Sequence, residues 1–144
     1  MQHNMILVCH AADGHFADGN RQAVRRVLDT SNGVAEVHLL GRERYEILCA
    51  DGGRLELYAP GLDGSRSFHR MEVPFTPETW TKDVLSLLLE LMRKGGFGLM
   101  DRLDTPQLIV TQPMQVVYFP WLPEPPRLVR TPRDLGHTLG HPIQ

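Results

Sequence analysis

Two histidines and two aspartates lie close together near the start of the chain: His10, Asp13, His15 and Asp18. Imidazole nitrogens and carboxylate oxygens ligate Zn²⁺ and other divalent ions, and the same groups transfer protons in acid–base catalysis. They follow a short apolar run at residues 5–9, and a loop after a strand is a common place for a site. These four residues are therefore candidate metal ligands or acid–base groups. The alternative is a solvated loop, because Asp and Gly also form turns and a His-x4-His spacing does not by itself fix a ligand geometry.

The other chemistry-bearing patterns are weaker. The chain has no Gly-x-Ser-x-Gly motif of the kind that presents a serine nucleophile. Cys9 and Cys49 lie within apolar runs, which predicts two reduced, buried thiols. The glycines of residues 95–98 follow a predicted helix, whereas a phosphate-binding loop precedes one. The sequence therefore favours a protein that has no cofactor and is not an enzyme.

His38 lies on the polar side of the predicted strands, among charged side chains at Glu36, Glu46, Arg54 and Glu56. One interpretation is a general base beside carboxylates on a sheet face. The favoured interpretation is a row of cross-strand charge pairs, each worth a fraction of a kcal/mol.

The strongest local pattern is a long helix over residues 76–94. Thr76 is a suitable N-cap, Pro77 suits the first helical position, and Gly95-Gly96 supplies a stop. Its apolar arc exceeds the roughly 100° that a helix on one surface needs. Trp80, Val84, Leu85, Leu87, Leu88, Leu89, Leu91 and Met92 make up this arc. The helix must therefore be enclosed by its own fold, or by its fold and a partner.

Alternating polar and apolar residues predict an antiparallel meander after a first helix, which begins at Asp18 or Asn20 and ends near Asp29. Asp51-Gly52-Gly53 between two such runs is a strong hairpin signal. The expected buried face comprises Val37, Leu39, Tyr45, Ile47, Cys49, Leu55, Leu57 and Ala59. Residues 68–73 form a less regular strand, and residues 107–112 and 115–119 are expected to form two more.

These elements predict an α+β fold: a mostly antiparallel sheet in the order β-α-β-meander-α-β-β, with two helices packed on one face. Residues 1–119 form the predicted domain. Residues 120–144 form an extended Pro-rich C-terminal arm, in which the prolines exclude a regular helix. The arm either crosses to another chain or lies over its own sheet edge. Its candidate partner-binding residues, of types frequent at binding hot spots or beside them, are Trp121, Leu122, Arg127 and Arg130.

Composition supports an ordinary globular chain. The 144 residues suit one domain, and the net charge of −2 gives no footprint for nucleic acid or an anionic membrane. With no basic leader and no apolar run long enough for a span, the expected location is cytoplasmic. The predicted function is a non-catalytic interaction domain that binds a partner protein or itself, as a homodimer, through the long helix and the arm. The alternative is a small-ligand- or metal-binding protein or enzyme with its site at residues 10–18.

Overall fold

The computed structural model describes residues 3–11, 15–64, 67–101, 107–118 and 125–140. Within these ranges the chain forms eight strands and three α-helices, together with two short 3-10 turns. The strands are β1 (His3–Val8), β2 (Val34–Gly41), β3 (Arg44–Cys49), β4 (Arg54–Tyr58), β5 (Arg70–Phe75), β6 (Gly98–Asp101), β7 (Gln107–Val110) and β8 (Arg127–Leu128). The helices are α1 (Arg21–Thr30), α2 (Lys82–Gly95) and α3 (Pro132–Thr138), and the 3-10 turns are Pro77–Thr79 and Pro113–Tyr118.

All eight strands belong to one sheet, in the order β2-β3-β4-β5-β1-β6-β7-β8. Every neighbouring pair is antiparallel except β7 and β8, which run parallel. The predicted α+β class with a mostly antiparallel sheet is therefore confirmed. Strands β2 and β8 are the two edges of this sheet.

Helix α2 begins later than predicted. Thr81, and not Thr76, is its N-cap, and the hydroxyl of Thr81 accepts from the backbone N–H of Val84. The Asp51 carboxylate, on the turn between β3 and β4, fixes this start: it accepts from the Thr81 hydroxyl at 2.6 Å and from the backbone N–H of Asp83 at 3.0 Å. A tertiary contact from a residue distant in sequence thus decides where the helix begins.

The apolar arc of α2 is covered by the chain's own residues. The sheet lies beneath it, and α1 and α3 pack on its sides. Val84, Leu85, Leu87, Leu88, Leu89, Leu91 and Met92 are all buried. Of the two alternatives for enclosing this helix, enclosure by its own fold is therefore the one the structure shows.

The core ends at β3. Ile47 and Cys49 are buried as predicted, but Val37 is 38% exposed and Leu39 is 67% exposed. The prediction that these two β2 side chains face the core was wrong, because β2 is an edge strand that lies beyond the layer of helices. Of β2, only Val34 packs against the main core.

The C-terminal region also differs from expectation. After β7 the chain forms a 3-10 turn instead of a second strand, because the side-chain oxygen of Gln115 accepts from the backbone N–H groups of Thr111 and Gln112 and closes the turn. The prediction that the arm excludes a regular helix was wrong. Pro132 opens α3 from the first turn, where a missing N–H is harmless, and Thr131 caps it by accepting from Asp134.

A second, smaller apolar cluster lies on the sheet face opposite the main core. It comprises Ile6, Val8, Leu108 and Val110, all buried, with Met100 and Leu128 at its margin. Across the described residues, no helix is both long enough and apolar enough to cross a membrane.

Candidate interaction surface

Strand β2 is the most exposed element of the sheet. From Ala35 to Gly41 every residue is exposed, including Leu39 at 67% and Leu40 at 55%. Only one of the eight β2 residues, Glu36, carries a formal charge. An edge strand presents a row of backbone N–H and C=O groups that another strand can pair with. Among the described strands β2 pairs with β3 alone, and we refer to residues 36–40, with the backbone groups on their outer side, as the β2 edge.

The side chains of the β2 edge divide between two faces. Pairing with β3 is regular from Glu36 to Leu39, with a register shift at each end. Val37 lies opposite buried Ile47, so Val37 is on the helix side of the sheet. His38 lies opposite Glu46, so Glu36 and His38 are on the open side. A strand that pairs with residues 36–39 would find apolar side chains on the helix side and polar side chains on the open side.

A buried carboxylate anchors the turn between β2 and β3. Glu43 has a φ of 63°, the one positive value among the described non-glycine residues, and its side chain points inward. Its carboxylate accepts from the backbone N–H of Gly61 at 2.7 Å, and Arg21 of α1 donates to the Gly61 carbonyl at 2.7 Å. The hairpin turn is thereby tied through residue 61 to α1.

The opposite end of β2 is also fixed. The Val34 N–H donates to the carbonyl of Ser31, which is the C-cap of α1, and the Ala50 N–H donates to the carbonyl of Gly33. Strand β2 is therefore fixed at both ends, whereas residues 36–40 between them are exposed. A surface held in this way loses little conformational freedom when it binds.

Tyr45 extends the apolar side of the β2 edge onto β3. It lies opposite Leu39 and is half-buried against the core. Burial, assisted by the nearby carboxylate of Asp63, raises the pKa of the Tyr45 phenol, so the ring is neutral at physiological pH. Leu39 and Tyr45 together form a neutral strip beside the free backbone.

Two of the four candidate metal-ligand or acid–base residues, His10 and Asp18, make contacts within the fold. His10 is half-buried, and its ring centroid lies 4.8 Å from that of Phe16, which in turn lies 4.9 Å from His69. Burial, and to a smaller extent His69, lowers the pKa of His10. The Asp18 carboxylate accepts from the backbone N–H of Phe68 at 2.9 Å and so holds the segment before β5.

His15 is exposed, and Asp13 lies outside the described residues. Among the side chains that the structure describes, no group of three or more His, Cys, Asp or Glu is arranged to hold a metal ion. His10 and Asp18 are used in packing and in a backbone hydrogen bond respectively. A metal or ligand role for the four residues at 10–18 stays a prediction.

The described part of the C-terminal arm packs on its own chain. Val129 and Leu135 are buried, and Arg93 of α2 donates to the carbonyl of Arg130 at 3.1 Å. The side chains of Arg127 and Arg130 are exposed, whereas Trp121 and Leu122 lie outside the described residues. A partner-binding role for these four residues, and the division of the chain after residue 119, stay predictions.

Both cysteines are buried free thiols, as predicted. Burial, with the Asp51 and Asp83 carboxylates, raises the pKa of Cys49 to about 11. Burial and Asp18 raise the pKa of Cys9. A reactive cysteine needs an ionised thiol. With these raised pKa values, neither Cys9 nor Cys49 is ionised near neutral pH.

Sequence reasoning missed the β2 edge because alternating Val37 and Leu39 resemble a core-facing strand. The neighbouring pair Leu39-Leu40 breaks that alternation, and it is the one local signal of the exposed surface. No protein-family model, curated protein or solved structure matches this chain.

Proposed function

We propose that this chain is a non-catalytic protein-interaction domain that binds another polypeptide strand along the β2 edge. The observation that carries the proposal is an eight-residue edge strand whose middle exposes Val37, Leu39 and Leu40. Proteins that keep such an edge solvent-exposed usually blunt it with several charges, prolines or a short length. Strand β2 has register shifts at its ends, but it has a single charge and no proline.

Strand addition suits the chemistry of this edge. The added strand gains affinity from main-chain hydrogen bonds and specificity from alternate side chains. On the helix side of β2 it would cover Val37 and Leu39 beside Tyr45, and on the open side it would meet Glu36 and His38. The anchors at Glu43 and Val34 hold the edge in an extended form before binding.

The contact surface in this proposal differs from the one expected from sequence. The apolar residues of α2 are buried in the protomer, so they are not available to a partner. Three of the five large hydrophobic side chains that are exposed in the described chain belong instead to β2. The proposed contact surface of the interaction domain is therefore the sheet edge and not the helix.

Affinity capture from the native host, read by quantitative mass spectrometry, tests this proposal. The variant Val37→Lys/Leu39→Lys puts two charges on the edge, a change that disfavours strand pairing. Met114→Lys is the control, because Met114, at 68%, is as exposed as Leu39 but belongs to the 3-10 turn after β7. We expect the edge variant to lose the proteins that the wild type and Met114→Lys both retain, counting untagged copies of the chain itself among them. Equal capture by all three proteins would contradict the proposal.

A further inference from the structure

We infer that the strand which adds to β2 is β2 of a second copy of this chain, running antiparallel, with Val37 opposite Val37 and Glu36 opposite His38. This inference rests on the proposed function and specifies the partner. It is argued from the order of residues along β2 and from the faces on which they lie.

The β2 sequence is complementary to itself about Val37. In an antiparallel pair centred on that residue, Glu36 of each copy meets His38 of the other, and this happens twice by symmetry. Directly opposite residues share a face, which agrees with Glu36 and His38 both lying on the open side. One position further out, Ala35 lies at the register shift between Val34 and Glu36, so the proposed pairing comprises residues 36–38 alone.

The imidazole of His38 is exposed and can donate to a carboxylate of a second copy. Within one protomer, Nε2 of His38 is 3.8 Å from the Glu36 carboxylate, and both side chains are exposed and can reorient. Glu46, opposite His38 on β3, is engaged by Arg54 at 4.0 Å. An imidazole N–H donates to a carboxylate in both the neutral and the cationic form of histidine. Glu36 of a second copy can therefore take up the imidazole without a change in its charge.

Neighbouring registers are less favourable. Centring the pair on Glu36 would place the two Glu36 carboxylates opposite each other, and like charges in that position are destabilising. Centring it on His38 would place the two imidazoles together and each Glu36 opposite Leu40. A shift by a single residue would pair side chains from opposite faces of the sheet. Of these registers, the one centred on Val37 places Glu36 opposite His38.

Sedimentation velocity of the purified full chain over a dilution series tests this inference. The wild type is expected to dimerise. Glu36→Lys places a cation opposite His38, and His38→Glu places two carboxylates opposite each other. We expect each variant to raise the dimer dissociation constant about tenfold, because each loses both symmetric imidazole–carboxylate pairs, and His38→Glu also sets carboxylates opposite each other. Both positions are exposed, and a thermal melt of each variant checks that it folds.

The decisive sample is an equimolar mixture of the two variants. In the mixed pair, the lysine introduced at position 36 lies opposite the glutamate introduced at position 38, and the native His38 lies opposite the native Glu36. The mixture is therefore expected to recover dimerisation close to that of the wild type. Neither variant carries both substitutions, so a contact within one protomer cannot restore dimerisation. A dimer that either variant leaves unchanged, or that mixing does not restore, would overturn the register.

A wild type that stays monomeric throughout the series would overturn self-pairing. The proposed function is judged separately, since capture of a different protein that depends on Val37 and Leu39 would still support an interaction role for the β2 edge.

Discussion

The two edges of the sheet, β2 and β8, differ in length, in proline content and in exposure. Strand β8 has two residues, follows Pro125 and Pro126, and leads directly into α3 through buried Val129. Strand β2 has eight residues, lies beyond the helices and exposes almost its whole length. Proline offers no N–H to a pairing strand, and a two-residue edge offers few positions in any case.

Apolar residues near the two edges differ in burial. Near β8, Leu135 of α3 is buried in the main core and Leu128 is half-buried against the smaller cluster. At β2 no described part of the chain covers Leu39 or Leu40. The β8 edge is short and follows two prolines, whereas the longer β2 edge is exposed between contacts that fix its two ends.

Truncating a core side chain of α3 should have the largest effect on stability. Leu135→Ala is expected to lower the free energy of unfolding by about 2–5 kcal/mol, because a fully buried leucine leaves a cavity when it is truncated. Urea denaturation followed by circular dichroism measures the change. Arg133→Ala, on the exposed side of α3, is the control and should stay within about 0.5 kcal/mol of the wild type. Equal effects of the two substitutions would contradict the packing of Leu135 in the main core.

The turn that connects β3 to β4 is the next test, because it links the meander to α2. A Cβ placed on Gly53 would lie 2.1 Å from the Thr81 hydroxyl oxygen and 2.7 Å from a Val84 methyl carbon. Gly53→Ala is therefore expected to destabilise the protein by about 1–3 kcal/mol through overpacking. Gly64→Ala is the matched control, since no heavy atom of the described chain lies within 4 Å of the place that its methyl group would take. A Gly53→Ala protein as stable as this control would contradict the close packing of the turn on α2.

The anchor of the bare edge is expected to contribute somewhat less. Glu43→Ala removes the acceptor of the Gly61 N–H and should cost about 1–2 kcal/mol, as is usual when a buried donor loses its partner. Glu43→Gln keeps a side-chain oxygen and should recover part of that loss. Chemical denaturation of both variants provides the comparison. Equal stability of Glu43→Ala and the wild type would show that the carboxylate does not hold the hairpin.

The smallest expected effect is a pH dependence that originates at Asp51. Burial acts to raise the pKa of this carboxyl, but hydrogen bonds from Thr81, Asp83 and Gly53 outweigh it and lower the pKa below its ordinary value of 3.8. A lowered native pKa means that the stabilisation is complete above the unfolded value and is lost as the pH falls through the native one.

Melting temperatures of the wild type and Asp51→Asn between neutral and acid pH measure this effect. The wild type should be the more stable protein at neutral pH, and the gap should narrow once the pH falls below 3.8. Glu78→Gln, at an exposed carboxylate, serves as the control. A gap between wild type and Asp51→Asn that is constant with pH would contradict the role of the ionised carboxylate.

Local features of the fold were predictable from sequence, and non-local ones were not. Asn20 caps α1, and residues 51–53 turn between β3 and β4, because capping and turn formation depend on neighbouring residues. The edge position of β2 depends on strand order, which the alternation of Val37 and Leu39 does not encode. The start of α2 depends on Asp51, which is distant in sequence.

The same distinction applies to the candidate sites. Charged and histidine residues at 10–18 attracted attention because their types suit chemistry, yet within the described residues they serve backbone and packing contacts. On β2, the sequence assigned Val37 and Leu39 to the core, whereas the fold leaves both side chains exposed. Exposure is a property of the whole fold, and sequence patterns report it poorly when only one strand is considered.

Amide hydrogen exchange at increasing protein concentration tests self-pairing of the β2 edge most directly. Peptides that cover β2 and β8 report both edges in the same sample. We predict that exchange in β2 slows as the concentration rises, because its free N–H groups become paired with a second copy, while exchange in β8 does not change. Exchange in β2 that is equally fast at every concentration would contradict the proposed pairing.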